Sequence, residues 1–357
     1  MTNCLSQCVN VNILTFPIMG NAQSYIVASL SVCSLYFVYV HIYRAHKVLK
    51  SNVLESDKLP SFVYLYIKYF SKSLTRKTGN LYATQTRKKC ESVYTVLSCR
   101  METLVLRRFC SAAGYGWDYP DSEYRDIPLC FPEFLCGRLL LMLLTDENFR
   151  LSPAGLVRVR QSVKTLQPID ELKKGPFMLR IQVLAYQQTD AGVEVDVCLS
   201  ATSRSGCLVW ESVLTLLSKS KSHTSSSSIA RTEHKDFFVR TELTDEPAPE
   251  NVKQVEVRVP RTTTLQRVGI RSQTASSLWM LSVCLAEIEK HKGVAVITAP
   301  VTITAQFKEL LLVPGKATVR FWEEKNYGDQ SSLQALRFNM QQPGHSIPHI
   351  VGLILRS

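Results

Sequence analysis

The stretch GIRSQTASSLWMLSVCLAEIEK at 269–290 gathers the residue types best able to meet a polar ligand. Two hydroxyls, Ser276 and Ser277, stand where a polar turn gives way to an apolar helical pattern, and two guanidiniums, Arg267 and Arg271, precede them. A serine at such a place caps a helix by accepting a hydrogen bond from one of its first amides. The amides left over, together with the positive end of the helix dipole, can polarise a carbonyl or hold an anion, and the arginines could meet phosphates. The structural alternative is that the serines only cap and the arginines are solvated. Catalysis would need more, namely an acid and a base beside this turn. The run VEVRVPRTTTLQRVG at 255–269 holds no Asp and no His, so between Pro260 and Gly269 no catalytic residue is identified.

The seven histidines stand elsewhere. His41 and His46 flank an apolar N-terminal segment, His223 and His234 lie in or beside a Ser/Lys tract, His291 follows the helical stretch, and His345 and His349 sit near the C-terminus. A lone polar histidine such as His345 reads as a solvated turn residue rather than a base. Eleven cysteines form no CxxC pair and have no histidine at zinc-finger spacing; the odd count, with Cys198 and Cys284 inside apolar runs, favours buried thiols over disulfides. No metal and no cofactor are expected. VPGKAT at 313–318 lacks the glycine spacing of a phosphate loop and reads as a hairpin turn. Neither a G-x-S-x-G elbow nor a Cys/His nucleophile arrangement is present.

The elements that would position the turn become legible from residue 127 onward. PEFLCGRLLLMLLTDENF starts with a proline suited to a helix's first turn and is apolar nearly all round to Thr145, which suggests a central helix wrapped by sheet. Strand-like runs follow: LVRVRQSV, PFMLRIQVLAYQQ, GVEVDVCLSA and CLVWESVLTLLSK. A Ser/Lys-rich linker at 218–250 interrupts the order. The helix at 276–290 then places Leu278, Leu281, Leu285 and Ile288 on one face, and VAVITAPVTITAQF, KATVRFWEEK, LQALRFNMQ and IPHIVGLILR read as further strands. MLRIQV at 178 and TVRFWE at 318 hold equivalent places at an offset of 140. A helix followed by antiparallel strands, occurring twice, predicts an α+β fold made of a tandem (double) hotdog, each a central helix against a curved antiparallel sheet: one at 127–217, the other at 251–357.

Ahead of this body the composition changes. Residues 1–43 carry no Lys, Arg, Asp or Glu, whereas 44–108 carry fourteen basic and four acidic residues, so +10 of the net charge of +12 sits there. Ser24–Tyr43 is long enough to span a bilayer as a helix, with Tyr36, Tyr39 and Tyr43 toward one end and Arg44, Lys47 and Lys50 after it. A signal peptide or a buried helix is the competing reading; the charges follow the apolar run instead of preceding it. Residues 1–50 are therefore expected to be a single-pass membrane anchor with the body facing the cytosol. Residues 51–126 read as a basic juxtamembrane region, mostly helical up to Arg108. Within it LPSFVYLYIKYFSKSLTRK (59–77) mixes aromatics with cations, a composition that suits an interfacial helix on anionic lipid better than a nucleic-acid surface. Membrane lipid is the expected partner of Ser24–Tyr43 and of 44–108; no nucleic acid is expected.

GLVRVRQSV (155–163), LVWESVLTLLSK (208–219) and AQFKELLLVPGKATVRF (305–321), with the strand pair that follows, resemble the MaoC-like hotdog dehydratase family in its double-hotdog arrangement, over about residues 127–357. The resemblance implies a hydro-lyase that adds water to, or removes it from, fatty acyl thioesters on coenzyme A or acyl carrier protein, with a homodimer as a possible assembly. In that family a D-x-N-P-x-H stretch ahead of the helix activates water, and the helix is often approached through P-I-A-H-G-M-W. Here Gln273 to Trp279 corresponds, with Ser276 in place of the His and Ser277 in place of the Gly. The D-x-N-P-x-H stretch is missing, either because a transcript skips it or because the protein has lost it. The readings that follow are a membrane-anchored hydro-lyase with impaired or lost catalysis, a pseudoenzyme that binds acyl-CoA or lipid, and an interaction scaffold.

Overall fold

A computed structural model of the chain describes residues 22–49, 51–83, 93–121, 127–220, 252–260, 274–324 and 334–356. Helix α1 (Ala22–Phe37) continues through a π-helical stretch (Val38–Tyr43) into α2 (Arg44–Val48); β1 (Val53–Glu55), α3 (Phe62–Thr75), β2 (Val93–Cys99) and α4 (Thr103–Ala112) follow. The first central helix is α5 (Phe131–Leu135) and α6 (Gly137–Thr145), and its strands are β3 (Leu156–Thr165), β4 (Phe177–Thr189), β5 (Gly192–Thr202) and β6 (Leu208–Lys219). The second half holds β7 (Lys253–Val259), α7 (Ser277–Lys292), β8 (Val301–Phe307), β9 (Gly315–Glu324), β10 (Gln334–Gln341) and β11 (Ile350–Arg356).

Among the described residues these strands make one sheet in the order β1-β2-β4-β5-β6-β3-β8-β11-β10-β9-β7. Read outward from its middle, the order is the same on both sides: β3, β6, β5, β4, β2 on one and β8, β11, β10, β9, β7 on the other. The 140-residue offset is thus the step from β4 to β9. The two halves join where β3 and β8 pair antiparallel, from Arg160 opposite Gln306 to Thr165 opposite Val301. Each central helix rests on strands of its own half, α5 on β5, α6 on β4 and β2, and α7 on β9 and β10. Phe177, Leu179, Ile181 and Val183 are buried at alternate positions of β4, the period-two pattern of a strand with one face on a core. This is the double hotdog expected from the sequence.

Several local expectations need correction. The described residues of 78–108 are not mostly helical: Val93–Cys99 is strand β2, antiparallel to β4 from Val93 opposite Gln182 and parallel to β1. The first half therefore reaches back beyond 127, because its outermost strand is supplied from the segment read as juxtamembrane. The helix from Pro132 is divided at Cys136 into α5 and α6. Ser218 and Lys219 belong to β6, while 221–250 of the proposed linker lie outside the described residues. Residues 294–297 form a 3₁₀ turn, and β8 starts at Val301. Helix α7 is buried on every side from Trp279 to Glu289 instead of along one face. Its outer side is covered by α4 and the turn after it, where Trp279 Nε1 donates to the Ala112 carbonyl at 3.0 Å and Tyr119 OH donates to Glu289 Oε1 at 3.0 Å.

Candidate functional site

Ser276 is the N-cap of α7, extended at φ −72° and ψ 147°, and its Oγ accepts the Trp279 amide at 3.2 Å. At the other end Gly293, at φ 84°, donates its amide to the Glu289 carbonyl at 2.8 Å, and Lys290, His291 and Lys292 complement the negative pole of the helix. The start of the helix is pinned to the loop between β8 and β9: Thr274 bridges Leu312, and the Ala275 amide donates to the Leu311 carbonyl at 2.8 Å. Gln342 braces that loop, accepting from the Leu312 amide at 3.3 Å and donating to its carbonyl at 3.1 Å. Ser276, Ser277 and Leu278 are half-buried, and the amides of Ser277 and Leu278 have no acceptor among the described residues. Two N–H groups at a positive helix pole can hold one carbonyl oxygen or one anionic oxygen. Arg267, Arg271 and the run 261–273 lie outside the described residues.

The same loop carries a group that sequence spacing alone did not single out. Glu309 Oε2 lies 3.4 Å from His345 Nδ1, both side chains 38% exposed, and the His345 and His349 rings are 5.1 Å apart between centroids. His345 sits in a turn, as expected, but with a carboxylate beside it. His349 is fully buried; its backbone bridges Met340 and Lys308, and neither ring nitrogen makes a hydrogen bond among the described residues. Burial, with His345 next to it, lowers the pKa of His349 from the ordinary histidine value. The signal in the sequence was H-S-I-P-H at 345–349, two histidines four apart, with an acid 36 residues upstream that only the fold brings near.

A second polar cluster is sealed in the first half. Glu133 Oε1 pairs with Arg158 at 2.6 Å, Glu133 Oε2 accepts from Gln161 Nε2 at 2.6 Å, and Gln161 also reaches Ser212 Oγ at 3.1 Å. With both carboxylate oxygens engaged and the side chain 4% exposed, this group holds the core together and is closed to substrate. The buried thiols are equally inert. Burial pushes Cys110, Cys130 and Cys198 each up to about 12, so none is a thiolate nucleophile at neutral pH. Among the described residues no three His, Cys, Asp or Glu side chains come close enough to hold a metal ion.

A two-fold repeated order of strands around paired central helices has counterparts among solved structures. A MaoC-like dehydratase from Phytophthora capsici superposes with a TM-score of 0.55 at 14% identity, over 75% of this chain and 95% of its own. This chain has the double-hotdog fold of the MaoC-like dehydratases. HtdX of Mycobacterium tuberculosis matches with a TM-score of 0.52 at 14% identity, over 73% of this chain and 98% of its own. The peroxisomal multifunctional enzyme type 2 of Drosophila melanogaster matches at 0.50 and 12% identity, over 74% of this chain and 48% of that longer one. No protein-family model matches the sequence, and no curated protein matches it.

Proposed function

We propose that this chain is a membrane-anchored hotdog protein that binds fatty acyl thioesters, on coenzyme A or acyl carrier protein, and has lost most of the hydro-lyase activity of its ancestors. The observation that carries this is the start of α7: a serine-capped helix end with two amides that have no acceptor among the described residues, in a double-hotdog fold, with no Asp, Glu or His between Pro260 and Gly269. Those amides polarise a thioester carbonyl in this reading, and Arg267 and Arg271 meet the phosphates of the carrier. General acid–base groups contribute about 10²–10⁴-fold each, so binding survives their loss while hydration does not.

The anchor is the apolar helix running from Tyr25 to Val48, none of whose spanning stretch is buried against the body. Twenty-four residues at 1.5 Å per residue match the hydrocarbon thickness with some tilt. The basic flank after it supports a body on the cytosolic side.

The test uses the full chain in detergent with acyl-CoA of medium and long chain length. We expect measurable binding and little or no hydration of a trans-2-enoyl-CoA. Robust turnover would overturn the loss of catalysis, and the Glu309–His345 pair is then the first base to remove, by His345→Gln. A folded protein that binds no acyl-CoA at any chain length would favour an interaction scaffold.

A further inference from the structure

Helix α3 carries apolar side chains on two opposite faces. One face docks on α6: Leu65 is fully buried, the Arg138 guanidinium stacks on the Phe62 ring at 4.4 Å, and Lys72 is buried at the C-terminal end of α6. The Lys72 ammonium donates to the carbonyls of Leu144 and Phe149 at 3.1 Å each and to that of Asp146, and Arg76 reaches the Phe149 and Glu147 carbonyls. Amine and guanidinium donors there satisfy the carbonyls at the C-terminal end of α6 and in the loop after it. The other face points outward. Val63, Ile67, Phe70 and Leu74 recur at steps of four, three and four, one stripe of a helix, and are 44%, 48%, 51% and 87% exposed. A helix in water hides such a stripe.

The neighbourhood says what covers it. Helix α3 begins fourteen residues after the apolar helix that ends at Val48 and is tied to that end, His46 Nδ1 and Tyr64 OH lying 3.1 Å apart. The apolar helix is exposed from Tyr25 to Tyr39, Arg44 and Lys47 are exposed at its C-terminal end, and Lys77 is exposed just beyond the C-terminal end of α3. An apolar stripe with tyrosines and cations beside it is the composition of a helix lying in a membrane interface with anionic headgroups.

We propose that α3 lies in the plane of the bilayer surface, Val63, Ile67, Phe70 and Leu74 facing the acyl boundary of an anionic leaflet, and that Lys72 and Arg76 clamp it to the first half of the body. The inference rests on the anchor reading above and adds an orientation to it. A single span leaves the body free to swing, whereas a span and a docked in-plane helix hold it at two places.

The test places the photoreactive residue benzoylphenylalanine at Phe70, at Val32 in the anchor and at Ile347, exposed on the loop before β11, one at a time in the full chain. The protein is reconstituted in vesicles of phosphatidylcholine and phosphatidylserine that contain an alkyne-bearing phosphatidylcholine. Lipid adducts at Val32 and Phe70, several-fold above Ile347, are the expected result, and omitting phosphatidylserine should lower the Phe70 adduct while leaving Val32 unchanged. An adduct at Val32 without one at Phe70 overturns the in-plane helix and leaves the anchor standing. Absence of lipid adducts at Val32 overturns the anchor, and with it this orientation. A Phe70 adduct to a second copy of the chain, in place of lipid, overturns the proposal in favour of self-association.

Discussion

Replacing Arg158 by Met removes a charge from the sealed network of the first half while keeping an unbranched aliphatic chain, at the cost of a guanidinium whose carbon stands 6.0 Å from the Phe307 ring across the seam. The partner left behind is Glu133, 4% exposed, which then retains only the Gln161 amide at 2.6 Å. A buried carboxylate stripped of its cation costs about 3–5 kcal/mol. The second step of the argument is Glu133→Gln in the same background. It removes the stranded charge, keeps an oxygen that can accept from Gln161, and should return the protein to within about 0.5–1.5 kcal/mol of the parent, the net worth of a neutral hydrogen bond. Urea unfolding of the full chain in nonionic detergent measures both, read by the fluorescence of Trp210, whose indole donates to the Leu129 carbonyl at 2.8 Å beside the network. If Arg158→Met costs less than about 1 kcal/mol, or if Glu133→Gln deepens its loss, the pair does not work as a buried ion pair and the reasoning fails.

Two further outcomes follow from the second half. Leu285 is fully buried in α7, so Leu285→Ala should cost about 2–5 kcal/mol, and an unchanged unfolding midpoint would remove α7 from the core. His349 has its pKa lowered in the folded chain, so the unfolded chain binds the proton first and stability must fall as pH drops from about 6.5 toward the folded value. His349→Phe should flatten that decline in unfolding midpoints taken from about pH 7 to pH 5, and an identical slope would clear His349 of the effect.

Much of the architecture was legible because its strands alternate and its turns are marked. PFMLRIQVLAYQQ and GVEVDVCLSA fall within a residue or two of β4 and β5, and the repeat of MLRIQV by TVRFWE gave the duplication. Strand β2 escaped because VYTVLSC lies between charged stretches, its apolar residues fit helical spacing as well, and its partner β4 lies some eighty residues away. The burial of Glu287 and Glu289 was hidden for a related reason: the groups that cover them, Tyr119 and the turn after α4, come from another half of the chain. At the site, Ser276 was readable as a cap from its position alone. The Glu309–His345 contact was not, since no local rule joins an acid in one loop to a histidine in another.

A duplicated fold offers two central-helix starts, and they are not equivalent. Helix α5 begins at Phe131, whose amide already donates to the Pro128 carbonyl at 2.9 Å; Pro132 has no amide to offer; and Cys130 to Glu133 are all buried. Its acidic residue is spent on Arg158 and Gln161. Helix α7 begins at half-buried serines, with the amides of Ser277 and Leu278 unclaimed among the described residues and only Trp279 taken by the cap. The sequence repeats the scaffold but not the helix end: Cys-Phe-Pro-Glu closes one start with apolar bulk and an ion pair, and Ala-Ser-Ser-Leu leaves the other polar. If the chain holds a carbonyl or an anion at a helix pole, the physical chemistry of the two starts assigns that task to the second half. The first half then contributes β3, to which β8 pairs from Arg160 opposite Gln306 to Thr165 opposite Val301, and so the sheet seam from which the second half extends.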